Sequence, residues 1–123
     1  MIDHVTFGVS DFAQSCAFYD AAFAPLGIAR LVNVRDRADV AAYGDDRPWF
    51  WIVGEDPTRG KLHLALSARS RLMVEAFHAA ACAAGGRDNG APGLRPQYDS
   101  NHYGAFVLDP DGNNIEAVCR LPG

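Results

Sequence analysis

The chain has little cysteine, three residues in 123, and Cys16, Cys82 and Cys119 stand far apart. An odd, widely spaced set gives neither a disulfide framework nor a paired-cysteine zinc site. A basic excess is also missing. The formal charge is −4 and the ten arginines are scattered, which argues against a nucleic-acid surface. No apolar run approaches a membrane span, and the first residues enter a strand pattern without a basic region and signal-type apolar core. From these absences a cytoplasmic protein is expected, with no membrane or nucleic-acid partner. What is present is ordinary: 49% apolar and 21% charged residues, in a length suited to one domain with a real core.

The most informative feature is internal repetition. Ile2-Asp3-His4-Val5-Thr6-Phe7-Gly8-Val9 leads into a helical stretch closed by Leu26-Gly27, and Leu62-His63-Leu64-Ala65-Leu66 leads into another closed by Gly85-Gly86. One offset carries His4 onto His63, Phe18 onto Phe77, Ala22 onto Ala81 and Gly27 onto Gly86. Repetition at a fixed period sets the architecture before any local motif is read. Ser10 or Asp11 offers a cap for a helix over 12–23, and Ser70 one for a helix over 71–84. Strand patterns fall at 2–9, 28–35, 38–44, 49–53, 61–67, 103–108 and 114–119. Residues 88–101, rich in Gly, Pro, Asn and Asp, predict a long loop. The plan is βαβββ twice, an α+β domain with a first module at 1–54, a linker at 55–60 and a second module at 61–120.

Strand parity then nominates a site. Side chains alternate between faces, so Val5, Phe7 and Val9 oppose His4, Thr6 and Gly8. Leu62, Leu64 and Leu66 oppose His63 and Ala65, and Ile115, Ala117 and Cys119 oppose Glu116. With the bulky apolar faces against the helices, both histidines and the glutamate lie on the face turned away. Each alone is ordinarily a structural histidine or a solvated acid. Together, two imidazoles and one carboxylate suit a borderline divalent metal such as zinc, nickel, iron or manganese, with positions left for substrate.

The segments Ile-Asp-His4-Val, Phe18-Tyr19, Leu26-Gly27, Leu-His63-Leu-Ala-Leu and the closing Asp109-Pro-Asp-Gly-Asn-Asn-Ile-Glu116 resemble the glyoxalase / bleomycin resistance / extradiol dioxygenase superfamily, the vicinal oxygen chelate proteins, over essentially the whole chain. The resemblance implies two βαβββ modules forming an open, cup-shaped sheet with helices on its outer face. It implies His4, His63 and Glu116 as ligands of a divalent metal, and a homodimer. One departure is Trp51, which stands where glyoxalase I-type enzymes place a fourth, carboxylate ligand.

The secondary candidates are His102 as a proton shuttle, Tyr103 as a donor to a substrate oxygen, and Trp49 and Trp51 as walls of the cup. The 87–101 segment is expected to flank the cup mouth, with Arg95 or Tyr98 near a small-molecule substrate. Asp109, Asp111 and Asn113 read as turn residues, and Cys16, Cys82 and His78 as packing. The function expected is a metal-dependent enzyme, of lyase/isomerase or oxygenase kind, acting on a small oxygen-rich substrate. The alternative is a non-catalytic drug- or metabolite-binding protein.

Overall fold

The computed structural model describes residues 1–123. Eight strands and two helices run in the order β1 (Val5–Gly8), α1 (Phe12–Phe23), β2 (Ala29–Arg35), β3 (Asp39–Gly44), β4 (Pro48–Val53), β5 (His63–Ser67), α2 (Arg71–Ala83), β6 (Arg87–Leu94), β7 (Tyr103–Leu108) and β8 (Asn114–Cys119). The strands make two four-stranded sheets of identical topology, β1-β4-β3-β2 and β5-β8-β7-β6. In each, the first strand pairs parallel with the last, and the other pairings are antiparallel. The repeat seen in the sequence is therefore a repeat of structure. The register makes it specific, because Thr6 sits beside Trp51 in one sheet and Ala65 beside Glu116 in the other.

The helices start where side-chain caps are available. Asp11 accepts from the Gln14 amide and Ser70 from the Met73 amide, each satisfying a backbone donor that the first turn leaves free. α1 passes into a 3-10 turn through Pro25 and stops at Gly27, whose φ of 76° is left-handed. The inward faces of both sheets and both helices share one apolar cluster of 23 buried residues. Its first-module centre is aromatic: Tyr19 and Phe23 pack on Phe50 and Tyr43 with ring centroids 4.9–6.3 Å apart. Burying such a side chain is worth about 1.5–3 kcal/mol, so this cluster is a main source of stability. Phe106 and Val118 are also buried, at 8% and 7% exposure, yet lie outside this cluster. They belong to the face of the second sheet that the helices leave uncovered.

One expectation fails here. The predicted loop over 88–101 contains a strand, β6, paired with β7. The pairing is irregular, with register shifts between Asp88 and Gly90 and between Gly90 and Gly93. Pro92 falls inside the second shift, where its missing N–H removes no ladder bond. Only residues 95–102 connect β6 to β7.

The closing Asp-Pro-Asp-Gly-Asn segment does more than turn the chain. The Asp109 carboxylate, 2% exposed, accepts from the Asp111 and Asn113 amides, the Asn113 side-chain amide and the Tyr19 hydroxyl of α1. Asn113 Oδ1 in turn accepts from the Leu62 amide, one residue before His63. This clasp joins the first helix to the second sheet and sets β5 against β8.

Candidate functional site

The site lies on the uncovered face of the second sheet. Glu116 in the middle of β8 is 3% exposed, although no helix covers it. A carboxylate removed from water needs partners, and Glu116 has two: His63 Nε2 is 2.9 Å from Oε1, and His102 Nε2 is 2.7 Å from Oε2. In the tautomer that places its proton on Nε2, each imidazole donates to the carboxylate. The His63 side chain is 54% exposed, while that of His102 is 8% exposed. One imidazole is open to solvent and the other is enclosed, with a buried Nδ1 that has no partner.

Local sequence explains the enclosure. His102, Gly104 and Phe106 fall on one face of the β7 segment, and Phe106 pairs directly with Glu116. A Cβ on Gly104 would stand 3.1 Å from Glu116 Oε2 and 3.3 Å from His102 Nε2. The missing side chain at 104 is the space through which His102 reaches Glu116. Tyr98 closes the other side, its ring 5.1 Å from the His102 ring. Phe106 forms the floor: the His63 ring is 6.0 Å from its centroid, and the Arg95 guanidinium lies over it at 5.3 Å.

The donor chemistry suits a divalent cation. Neighbouring ligand atoms, each about 2.0–2.2 Å from one ion at right angles, stand about 3 Å apart, close to the His63–Glu116 spacing. No three His, Cys, Asp or Glu side chains of a single chain, however, converge on one point. Each Glu116 oxygen is turned to a different histidine, and His4 is elsewhere. Its Nδ1 bonds Asp3 at 2.8 Å, and the Asp3 carboxyl is held below the usual carboxylate range by that bond and by Arg47. His4 lines a cavity of about 550 Å³ with Arg47, Trp49, Phe50, Leu64 and Leu66.

The other candidates divide. His63, Glu116, His102, Arg95 and Tyr98 are gathered on one face. Trp49 lines the His4 cavity, and Trp51 sits beside Thr6 on the first sheet. Tyr103 is not part of the cluster. It points to the helix side, its hydroxyl donating to Glu75 of α2 at 2.6 Å with Arg71 over its ring, because it alternates with Gly104 and Phe106. The His102–Glu116 contact has no signal in local sequence. The β7–β8 register sets Phe106, not His102, opposite Glu116, so the contact is diagonal across Gly104. Cys16 and Cys82 carry thiols pushed up by burial, which makes them poor nucleophiles.

Paired βαβββ modules, with a histidine at the entrance to each module's first strand and a buried carboxylate on the final strand, define the glyoxalase-like class of folds. The sequence agrees: residues 1–117 match the family model of the Glyoxalase/Bleomycin resistance protein/Dioxygenase superfamily, and the chain belongs to that superfamily. A glyoxalase/bleomycin resistance protein from Albidiferax ferrireducens T118 is 34% identical, with a TM-score of 0.79 over 97% of this chain and 98% of that one. At lower identity, the fold is shared with a glyoxalase/bleomycin resistance protein/dioxygenase family enzyme from Burkholderia phytofirmans PsJN (19%, TM-score 0.75, 98% of each chain). It is also shared with a lactoylglutathione lyase from Agrobacterium tumefaciens (16%, TM-score 0.69, 97% of this chain and 92% of that one). No curated protein matches the chain. No helix is long and apolar enough to cross a membrane.

Proposed function

We propose that this protein is a metal-dependent enzyme, of lyase/isomerase or oxygenase kind, that acts on a small oxygen-rich substrate as a homodimer. The observation that carries the reading is Glu116, buried on the face the helices leave free and bonded there by two imidazoles. A purely structural acid has little reason to be enclosed on that face. His63 and Glu116 would hold the ion, with His4 as the third ligand. Because His4 stands apart within one chain, its place in the centre is assigned to a second copy. Zinc, nickel, iron or manganese bound there would supply Lewis acidity toward substrate oxygens.

The chain's own residues have separate tasks. His102 donates to Oε2 and so leaves Oε1 as the oxygen turned toward His63. This fixes the carboxylate's orientation, as outer partners of ligands commonly do, and replaces the shuttle role expected from sequence. Phe106 keeps water from the inner side of the centre.

Titration of chelator-free protein with zinc and nickel tests the reading. His63→Ala and His4→Ala are each expected to weaken binding at least about tenfold, and sedimentation is expected to show a dimer. Parent-like affinity in His63→Ala would sink it. The apolar His4 cavity favours a second reading, a binding protein without chemistry. Retention of an apolar ligand with no turnover, under any of the four metals, would support it.

A further inference from the structure

The Arg95 side chain is a parked cation without an anion. Nη1 donates to the Gly93 carbonyl at 2.9 Å and Nη2 to the Ala91 carbonyl at 2.7 Å, while the guanidinium lies over Phe106. No carboxylate of the chain is within ion-pair distance of it. Neutral carbonyls orient a guanidinium but do not balance its charge, and Arg stays charged wherever it is placed. The strand beneath is shaped to it. A Cβ at Gly90 would stand 3.2 Å from Nη2 and 2.7 Å from the Phe106 ring, and one at Gly93 would stand 3.2 Å from Nη1. Two glycines in β6 therefore clear the bed in which the side chain lies. The same Phe106 ring that carries Arg95 lies 6.0 Å from the His63 ring, and the Phe106 backbone is the strand partner of Glu116.

We propose that Arg95 is the anion-binding residue of this site, and that the substrate is a small organic acid whose carboxylate meets Arg95 while its other oxygens face His63 and Glu116. The planar fork suits a two-toothed grip on a carboxylate. Its immobilisation on two carbonyls and a ring means that little side-chain freedom is lost when the anion arrives. Inorganic phosphate presents the same oxyanion chemistry and serves as the competing case. The assignment of substrate class rests on the proposed metal centre, but the anion contact can be measured separately from it.

The test titrates malonate, and separately phosphate, into zinc-loaded and zinc-free protein, following the Arg95 Nε–H resonance and the heat of binding. For Arg95→Gln, malonate affinity is expected to fall about tenfold or more with zinc affinity unchanged. Arg95→Lys, which keeps the charge but not the fork, is expected to fall between. Malonate binding that is equally tight in Arg95→Gln and the parent overturns the proposal, as does a preference for phosphate with no Arg95-dependent malonate binding. Arg95-dependent malonate binding in a protein that takes up no zinc supports the anion site and removes the metal reading instead.

Discussion

Replacing Asp109 by Ala should be among the most damaging single changes in this chain. Four donors converge on its buried carboxylate: two backbone amides, the Asn113 side chain at 3.0 Å and the Tyr19 hydroxyl at 2.5 Å. Hydrogen bonds to a charged group are worth roughly 1.5–3 kcal/mol each, and an orphaned buried donor costs about 1–3 kcal/mol. These terms do not add, since water entering the gap re-satisfies the backbone amides. Tyr19 is fully buried, so its hydroxyl is the donor least able to recover. An overall loss of about 3–5 kcal/mol follows. Tyr19→Phe, which leaves Asp109 three donors, should cost only about 1–2 kcal/mol. Urea unfolding at matched protein concentration measures both, and the double variant gives their coupling, expected at about 1–2 kcal/mol. A loss under about 1 kcal/mol for Asp109→Ala, or strict additivity with Tyr19→Phe, would refute the clasp. The effect should extend to the site, because Asn113 holds the Leu62 amide and thereby the β5–β8 register that sets His63 opposite Asn114, two residues from Glu116.

Other perturbations should act more locally. His102→Ala is expected to weaken zinc binding several-fold and His102→Gln, which still offers a donor, to restore part of it; equal binding by parent and His102→Ala would remove the positioning role. Gly104→Ala should resemble His102→Ala in zinc titrations, since its Cβ takes the space between His102 and Glu116. Trp51→Glu places a carboxylate at the first-sheet counterpart of Glu116 and should tighten zinc binding, and a calorimetric titration with no gain would refute that. Burial, chiefly, and the nearby acids push the Tyr19 and Tyr43 hydroxyls up, so the folded chain keeps protons that the unfolded chain releases above about pH 10. Stability should therefore fall as pH rises beyond that point, and a urea midpoint unchanged from pH 9 to 11 would contradict it.

Much of the fold was legible because its signals are local. The caps at Asp11 and Ser70 and the break at Gly27 follow from neighbouring residues, and the offset between His4 and His63 from matching one such local pattern to another. β6 was not legible, because Gly90, Pro92 and Gly93 read as loop while the pairing that makes a strand is supplied by β7. Gly90 answers to Phe106 across the sheet, and both Gly90 and Gly93 to the Arg95 side chain folded back over the strand. Tyr103 shows the same limit in reverse: parity could have placed it on the helix side, once Phe106 was known to pair with Glu116.

The two half-sites have diverged in a directed way. The register equates Thr6–Trp51 with Ala65–Glu116, so the two halves match in their histidines and differ at this position on the last strand of each module, an inner strand of its sheet. In the second sheet an acid stands there, enclosed by His102 and floored by Phe106. In the first, an indole stands there, and His4 is left exposed beside Asp3 with no buried carboxylate to meet. A symmetric pair of centres would need an acid in both sheets. The chain instead provides one buried acid and two histidines, the donor set that the proposed single centre per chain requires. Both histidine side chains are more than half exposed, at 56% and 54%, as the proposed joining of one copy's His4 to another copy's His63 and Glu116 requires.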